Sequence, residues 1–283
     1  MGQRDASLIT ISVITPSLNQ APFIRATICS VLDHRYPSLD YIVVDGGSTD
    51  GTLDLLRGFG SRLRWISEPD RGQTDAINKG LRMARGDVLA YLNADDLYLP
   101  GTLQRVADFF AKHPLAEWVY GNCRIVDETG QQIGRLSAPP FNLRRMISRG
   151  EYVPQPTVFW RRSAASVVGE LDASLHYAMD YDYFIRLGKR SPGHRLDAEL
   201  ACFRLQPASK TISTNEEKFW REALLVSERH GMKPWTAWYW IRRARHRGLR
   251  ALPAPLRQQI LSRLGRVQDQ YQEARTPTSS RPK

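Results

Sequence analysis

Few cysteines and the absence of a long apolar run set the first limits on this 283-residue sequence. The cysteines, Cys29, Cys123 and Cys202, are an odd number at wide spacing, so neither a disulfide framework nor a zinc site follows from them. No uninterrupted apolar stretch approaches the roughly 18 residues that cross a bilayer. The start, MGQRDAS, carries an acid and is a poor secretory signal. We therefore expect a protein of the reducing cytoplasm.

Basic charge is concentrated in one part of the sequence. The chain carries 40 Lys and Arg against 29 Asp and Glu, a net charge of +11. From Gly231 to Lys283 there are 12 basic residues and only 2 acids, whereas the part before Gly231 is nearly balanced. An anionic partner, phospholipid or nucleic acid, is therefore expected for the tail and not for the main part of the chain.

Strand and helix patterns alternate over the first third of the sequence. Apolar runs of strand length occur at Ile9–Ile14, Tyr41–Val44, Leu63–Ile66 and Val88–Leu92. Helical spacing separates them, at Pro22–Leu32, Thr52–Leu56 and Thr74–Ala84. This alternation predicts an α/β fold, a mostly parallel sheet flanked by helices. Ligands of such sheets bind beyond the carboxyl ends of the strands.

Beyond Pro100 the pattern is mixed. It predicts a helix over Thr102–Lys112, a hairpin that returns through Gln132–Leu136, a helix over Tyr181–Leu187 and a strand over Arg195–Arg204. From about residue 215 onward the spacing is helical, apart from proline breaks and a frayed end. We expect one main domain at residues 8–213 and a basic helical C-terminal extension at 214–283.

Polar residues follow the predicted strand ends. The richest loop, LNADD at Leu92–Asp96, contains two adjacent carboxylates, Asp95 and Asp96. Such carboxylates repel each other unless a cation or a donor lies between them, and hard oxygen ligands suit Mg²⁺ or Mn²⁺ on a diphosphate. A helix cap and surface turn before Pro100 is the competing explanation, and the pair taken alone favours it.

A second loop, VVDGGSTDGT at Val43–Thr52, brings the carboxylate of Asp45 and backbone N–H groups to a strand end. The helix that begins near Thr52 leaves its N-terminus open to anions. The loop contains neither the Gly-Lys-Ser/Thr of a P-loop nor the G-x-G-x-x-G dinucleotide fingerprint. A tight turn between strand and helix would use the same residues, so this alternative stays open.

Four segments taken in order carry a family resemblance that runs from about Ile9 to Ser213. They are ITPSLNQAPFIRATICSVLDHRYPSLDYIVVDGGSTDGT, EPDRGQTDAINKGLRMARGDVLAYLNADD, QPTVFWRR and HYAMDYDYFIRL. Together they resemble the inverting glycosyltransferases of family 2, of the bacterial cell-surface glycan type. The resemblance implies a GT-A fold, which is a Rossmann-like, mostly parallel sheet flanked by helices. It also implies an enzyme that moves a sugar from a nucleoside-diphosphate sugar, most commonly a UDP-sugar, to a glycan or lipid-linked acceptor.

The same resemblance implies a donor site. The base and ribose would contact Thr15, Pro16, Ser17, Asn19 and Asp45. The loop close to the nucleotide and sugar would include Asp70, Gly72 and Asp75, although Asp75 could equally be a polar residue of a surface helix. Asn93, Asp95 and Asp96 occupy the place of the family's D-x-D motif, and Asn93, Ala94 and Asp95 would contact the donor. A divalent metal, Mn²⁺ or Mg²⁺, would be held by Asp95 and Asp96.

Asp180 stands where the family often has Glu-Asp and places its catalytic base. A carboxylate on a separate element can take the proton of the acceptor hydroxyl, while a metal offsets charge on the leaving phosphates. A single displacement of this kind inverts the anomeric centre. The alternative for Asp180 is a first-turn acid of the predicted helix, and Asp182 is the nearest rival base.

Four further residues are candidates for phosphate or acceptor contacts: Gln155, Tyr177, Gln206 and Lys210. Gln206 lies in FRLQPASKT, where the family often has a His that joins the metal or pyrophosphate shell. With Gln206 the metal affinity could be lower or the contact could be a hydrogen bond only, and Lys210 could compensate by pairing with phosphate. A nucleotide-sugar-binding protein that has lost turnover is therefore one alternative function.

The tail offers two interpretations. A helix over KPWTAWYWIRRARHR would put Trp235, Trp238 and Ile241 on one face beside arginines, which is typical of a helix at an anionic membrane surface. This predicts a peripheral association with the inner face of the cell membrane. Packing of the tryptophans onto the main domain is nearly as well supported. No nucleic-acid-reading motif accompanies the charge, and the acid-lined strand ends oppose a nucleic-acid-binding protein.

Overall fold

The computed structural model describes residues 8–150, 153–206 and 216–233. Its strands are β1 Ile11–Ser17, β2 Leu39–Asp45, β3 Arg64–Ser67, β4 Val88–Tyr91, β5 Leu97–Tyr98, β6 Trp118–Val126, β7 Gln132–Leu136, β8 Phe159–Arg161 and β9 His194–Arg204. Its helices are α1 Ala21–Leu32, α2 Thr52–Gly58, α3 Gln73–Met83, α4 Thr102–Lys112, α5 Leu143–Arg149, α6 Arg162–Val168, α7 Met179–Arg190 and α8 Glu216–Arg229. Two short 3₁₀ turns lie at Gly60–Arg62 and Gln155–Thr157.

One half of the sheet is parallel, as the alternating pattern predicts. Strand β1 pairs with β2 and β4, and β2 pairs with β3, all in parallel. The register sets Ser17 opposite Asp45 and Asp45 opposite Ser67, so the carboxyl ends of three strands form one row. Polar residues that are distant in the sequence therefore meet at one edge.

The other half of the sheet is mixed. Across the whole sheet the strand order is β3-β2-β1-β4-β8-β6-β9-β5, and β7 pairs with β6 outside this path. Strand β8 runs antiparallel to both β4 and β6, whereas β6 and β9 are parallel. The predicted hairpin is confirmed as β6 and β7. Strands β5 and β8 are too short for a period-2 pattern to indicate them.

An apolar core fills each face of the sheet. On one face α1 buries Ile24, Thr27, Ile28 and Val31, the spacing of a single helical stripe. On the other face α3 packs against β1, and a Cβ atom on Gly80 would lie 2.4 Å from the side chain of Ile14. The glycine therefore permits the close approach of α3 to the sheet.

Helix α8 packs against α7. The Tyr181 hydroxyl and the Ser227 Oγ are 3.0 Å apart, and His230 Nε2 lies 2.8 Å from Asp182 Oδ1. Of the predicted extension at 214–283, the structure describes 216–233, so the division of the chain at residue 214 stays a prediction. Within the described ranges no helix is long and apolar enough to cross a membrane.

Candidate active site

Asp45 organises the loop that follows β2. Its side chain is fully buried and accepts hydrogen bonds from the backbone of Gly47 at 3.0 Å and of Ser48 at 2.8 Å. The hydroxyls of Ser48 and Ser67 donate to it at 2.5 and 2.8 Å. In this arrangement the carboxylate fixes the course of the loop. The direct contact between Asp45 and the donor base stays a prediction.

The loop after β1 is tied to the loop after β2. Asn19 adopts a positive φ of 52°, a conformation that Asn tolerates better than most residues. Its backbone N–H donates to Ser48 Oγ at 2.7 Å, and its Oδ1 accepts from the N–H of Thr49 at 2.9 Å. Thr15 is buried against the Tyr41 hydroxyl at 3.1 Å. Next to it the buried Ser17 hydroxyl has no hydrogen-bond partner among the described residues.

Asp70 approaches the double glycine after β2. Its Oδ1 accepts from the N–H of Gly72 at 2.8 Å. A Cβ atom on Gly46 would lie only 2.5 Å from Asp70 Oδ2, so a glycine at this position lets the carboxylate reach the loop. Gly72 itself has a φ of 111°, which side chains rarely adopt. The predicted loop residues Asp70 and Gly72 are thus joined to the loop of Asp45.

Asp75, at the start of α3, is held by its own neighbours. It accepts from the backbone N–H of Arg71 at 3.1 Å and lies 3.3 Å from the Arg71 guanidinium and 3.7 Å from Lys79 Nζ. The backbone donor of Arg71 is the largest cause that lowers the pKa of Asp75 below its ordinary value. The residue therefore stays charged at the rim of the site.

Asn93, the first residue of the N-A-D motif, links three elements. It accepts from Gln73 Nε2 of α3 at 2.7 Å. Its own amide donates to Asp96 Oδ2 at 3.1 Å and to Gln155 Oε1 at 3.2 Å, while Gln155 donates to the Tyr91 carbonyl at 2.9 Å. A carboxylate at position 93 could not make the two donor contacts. The amide therefore suits this network better than the Asp of a D-x-D motif would.

Asp95 and Asp96 differ in the direction that they face. Asp96 is 1% exposed and accepts from the backbone N–H of Arg204 at 2.9 Å, in addition to the amide of Asn93. Burial, followed by the charge of Asp95, raises the pKa of Asp96 well above its ordinary value. Asp95 is only half-buried and accepts from Gln206 Nε2 at 3.1 Å. Burial raises the pKa of Asp95 as well. Asp95 is thus the more accessible of the two carboxylates, and the metal roles of both stay predictions.

The residues around Asp95 fit a divalent cation of one particular kind. Within the described ranges no group of three His, Cys, Asp or Glu could form an all-protein metal site. Mg²⁺ and Mn²⁺ bound to nucleotides need only one or two carboxylates, because substrate phosphates and water complete their coordination. Asp95, with Gln206 as its neighbour, matches this pattern.

Arg204 is a site residue that sequence reasoning missed. Its side chain is buried, and its Nε donates to the Asp95 carbonyl at 2.9 Å. One guanidinium nitrogen donates to the carbonyls of Asp127 at 3.0 Å and Glu128 at 2.9 Å. From the other side, Thr27 Oγ1 of α1 donates to the carbonyls of Ala94 and Asp96, both at 2.8 Å. These contacts fix the backbone of the loop at 93–96, the NADD loop, and no sequence pattern reveals them.

Asp180 is the second residue of α7 and is 8% exposed. Its Oδ1 accepts from the backbone N–H of Tyr181 at 2.7 Å. Helix α3 links the surroundings of Asp180 to the NADD loop: Thr74 Oγ1 donates to the Leu175 carbonyl at 3.1 Å, and Gln73 Nε2 next to it donates to the NADD loop at 2.7 Å. The role of Asp180 as the base stays a prediction.

Comparison with known proteins identifies the family. The sequence model of Glycosyl transferase family 2 matches residues 12–165, which include the strand-end loops described above. The chain belongs to glycosyl transferase family 2.

Named relatives and solved structures agree with this assignment. An uncharacterised glycosyltransferase of Mycobacterium tuberculosis is 34% identical over 183 residues, which are 62% of this chain and 68% of the relative. A PGL/p-HBAD biosynthesis glycosyltransferase of Mycobacterium bovis is 34% identical over 180 residues, with the same coverage.

Two solved structures have the same GT-A fold. Residues 1–349 of TarS from S. aureus, in complex with UDP-GlcNAc, superpose with a TM-score of 0.64 at 19% identity. That match covers 77% of this chain and 65% of the TarS chain. A mannosyltransferase from Pyrobaculum calidifontis, in complex with GDP-Man and Mn²⁺, gives a TM-score of 0.63 at 18% identity over 96% of this chain and 80% of its own. The GT-A fold expected from the sequence is confirmed.

Asp182, the rival candidate for the base, lies between two basic side chains. It is 2% exposed and accepts from Arg186 Nε at 2.8 Å and contacts His230 Nε2 at the same distance. Burial acts to raise the pKa of Asp182, but His230 and Arg186 outweigh it and hold the pKa below its ordinary value. Its role is to join α7 to α8.

The remaining candidates have separate positions in the glycosyltransferase. Gln155 is buried and accepts a hydrogen bond from Asn93 of the NADD loop. Tyr177 is half-buried just before α7, and its backbone N–H donates to Glu222 at 2.7 Å. Lys210 and the tail residues Trp235, Trp238 and Ile241 lie outside the described residues, so their roles stay predictions.

Proposed function

We propose that this glycosyltransferase moves a sugar from a nucleoside-diphosphate donor to a hydroxyl of a glycan or lipid-linked acceptor, with inversion and with metal assistance. The observation that carries the proposal is that helix α3 contacts both the NADD loop, through Gln73, and the segment before α7, through Thr74. Asp180 itself lies 84 residues after Asp96 in the chain. The PGL/p-HBAD biosynthesis relative supports a glycolipid-type acceptor, and the UDP-GlcNAc and GDP-Man complexes of the solved structures support a nucleotide-sugar donor.

The donor would lie over the carboxyl ends of β1, β2 and β4. The outward backbone of the Gly46–Ser48 loop and the unpartnered hydroxyl of Ser17 would contact the nucleoside. Asp70 and the N-terminal turn of α3 would border the diphosphate and sugar. Asp95 would hold the divalent cation, which offsets charge on the departing diphosphate. We favour a UDP-sugar as donor.

Asp180 would act as the general base. Its carboxylate would accept the proton of the acceptor hydroxyl as the acceptor oxygen bonds to the anomeric carbon. The bond between that carbon and the phosphate oxygen breaks on the opposite face, so the nucleoside diphosphate leaves and the configuration inverts. The Tyr181 N–H, 2.7 Å from Asp180 Oδ1, would keep the carboxylate oriented.

The test begins with a thermal-shift panel of UDP, GDP and dTDP with their common sugars, each with and without Mn²⁺. A metal-dependent shift for one nucleotide is expected, and it would identify the donor base. Turnover of that donor should then fall by about 10²–10⁴-fold in Asp180→Asn, with nucleotide affinity unchanged. Retained turnover would remove Asp180 from the base role. Nucleotide binding without turnover in the unmodified enzyme would favour the nucleotide-sugar-binding alternative.

We also propose that the basic tail contacts an anionic membrane surface, which would bring a lipid-linked acceptor to the site. Tryptophan and arginine in one stretch whose spacing predicts a helix support this interpretation. Removal of the residues after Lys233 keeps His230 and its contact with Asp182. Co-sedimentation with phosphatidylglycerol vesicles should be lost in this truncated protein, and unchanged binding would contradict the proposal.

A further inference from the structure

The start of α7 depends on a residue from another helix. The first backbone N–H groups of a helix have no partner inside it and need a cap. At α7 the N-cap residue is Ala178, whose side chain cannot supply one. The element that carries Asp180 therefore begins at a residue that cannot cap it.

Glu222 of α8 binds the turn that leads into α7, including the N–H group of the N-cap residue Ala178. Its Oε2 accepts from the backbone N–H groups of His176 at 3.0 Å, Tyr177 at 2.7 Å and Ala178 at 3.1 Å. Three donors converge on one carboxylate oxygen immediately before the helix begins. A negative charge at this end of a helix also stabilises the positive end of its dipole. Glu222 lies beyond the residues 12–165 that match the family model.

The segment before α7 is held from its other side by α3. Thr74 Oγ1 donates to the Leu175 carbonyl at 3.1 Å. Asn78 donates to the Leu171 carbonyl at 2.9 Å and accepts from the Leu171 N–H at 3.0 Å. The path of the chain from Leu171 to Ala178 is thus fixed by α3 on one side and by Glu222 on the other.

We propose that Glu222 is a positioning residue for Asp180: it sets the first turn of α7 and so the direction of the carboxylate. The inference rests on the proposed function, because it presumes that Asp180 is the base. Loss of the cap lets the first turn of α7 fray and moves Asp180 without touching the donor loops. A shift of about 1 Å in a catalytic group can lower a rate by about 100-fold.

The competing explanation is that Glu222 only helps to attach α8. Other contacts also attach α8 to α7, and one of them provides a matched control. Ser227 Oγ lies 3.0 Å from the Tyr181 hydroxyl, so Ser227→Ala removes a contact between the same two helices but leaves the N–H groups at 176–178 capped. A purely structural role predicts similar effects of the Glu222 and Ser227 variants.

The first experiment measures amide hydrogen exchange in the full chain for unmodified protein, Glu222→Ala, Glu222→Gln and Ser227→Ala. Exchange in a peptide that spans 175–181 should rise about tenfold in Glu222→Ala, as expected for the loss of charge-assisted hydrogen bonds. Glu222→Gln keeps an oxygen acceptor, so exchange in the same peptide should rise less. Ser227→Ala should leave this peptide unchanged. Equal exchange in all four proteins would contradict the capping role of Glu222.

The second experiment measures nucleoside diphosphate release from UDP-GlcNAc, GDP-mannose and dTDP-rhamnose, together with the Kd of UDP, GDP and dTDP in the presence of Mn²⁺. On the donor that the unmodified enzyme turns over fastest, Glu222→Ala should lower kcat by about 10- to 100-fold with the nucleotide Kd within twofold. Glu222→Gln should recover part of this loss. An equal loss of kcat in Ser227→Ala would overturn the positioning role.

Asp180→Asn separates this inference from the proposed function. If Asp180→Asn keeps its turnover, the base assignment fails and the positioning role fails with it, even though the exchange data still report the cap. If Asp180→Asn is inactive while Glu222→Ala keeps full turnover, only the inference about Glu222 fails.

Discussion

The loop after β3 and the start of α7, which carries the proposed base, are held in different ways. In the loop after β3, Asp70 accepts from Gly72 and Asp75 accepts from Arg71, which are two and four positions away. The start of α7 is held by Glu222, which is 44 to 46 residues from its partners. Bonds between near neighbours can be inferred from a short motif, whereas the contacts of Glu222 exist only after folding.

The largest expected effect tests the NADD loop. Asp95→Asn should lower Mn²⁺-dependent nucleotide affinity and turnover by about 10- to 100-fold, because it removes the carboxylate that we propose holds the cation. Isothermal titration with and without Mn²⁺ measures this change.

Asp96→Asn is the matched control for this prediction. Asparagine offers one acceptor oxygen where Asp96 serves both Arg204 and Asn93. We expect a loss of about 1–3 kcal/mol in the free energy of unfolding, with the metal dependence retained. A loss of metal dependence in Asp96→Asn and not in Asp95→Asn would reverse the two assignments.

The next effect tests the contacts that hold the NADD loop in place. Arg204→Gln removes buried contacts that join the NADD loop to the turn at Asp127. We expect the free energy of unfolding to fall by about 3 kcal/mol, because buried carbonyls lose their donors. Urea unfolding checks this value. Arg195→Gln, on an exposed part of the same strand, should change it by less than about 0.5 kcal/mol.

A smaller effect tests the loop after β3. Gly46→Ala would place a methyl group 2.5 Å from Asp70 Oδ2 and should displace that carboxylate. We expect nucleotide affinity to fall about tenfold, which corresponds to about 1.4 kcal/mol. Gly58→Ala is the control, since nothing lies within 4 Å of its new Cβ atom. Equal affinities in the two variants would show that Asp70 does not need to approach the loop.

The smallest effect concerns the surroundings of α7 and their pH dependence. Asp172 pairs with Arg229 of α8 at 2.6 Å. Burial acts to raise its pKa, but hydrogen bonds from Ser174 and Arg229 outweigh it and lower the pKa to about 2. The resulting stability is complete above the unfolded pKa of about 3.9 and is lost as the pH falls towards 2. Between pH 5 and pH 2, the free energy of unfolding should fall by about 1 kcal/mol less in Asp172→Asn than in the unmodified protein. Thermal unfolding at each pH measures this difference.

Much of the parallel half could be predicted from the sequence. Its strands are apolar runs that end in polar residues, and its helix α1 shows a single buried stripe, so these elements and their order follow from local patterns. The helix α4 and the strand β7 have the predicted bounds. Strand β8 has three residues, and its place between β4 and β6 depends on pairings that no local pattern contains.

In the candidate site, too, some features could be predicted from the sequence and others could not. The resemblance of four motifs identified the loops of Asp45, Asp70 and Asp95 as well as the acid at position 180, because each motif is a short continuous segment. The sequence could not show that Asp45 and Asp96 face inward, or that Arg204 and Thr27 hold the NADD backbone. Those facts depend on which atoms remain exposed after packing.

By itself, the sequence determined the family, the α/β class and the acids around which a donor site could form. These properties reside in residue type and spacing. The tertiary structure alone decided which of two adjacent carboxylates faces outward and which distant glutamate caps the base helix. Burial and hydrogen bonding between residues far apart in the chain make those choices, and they arise only when the chain folds.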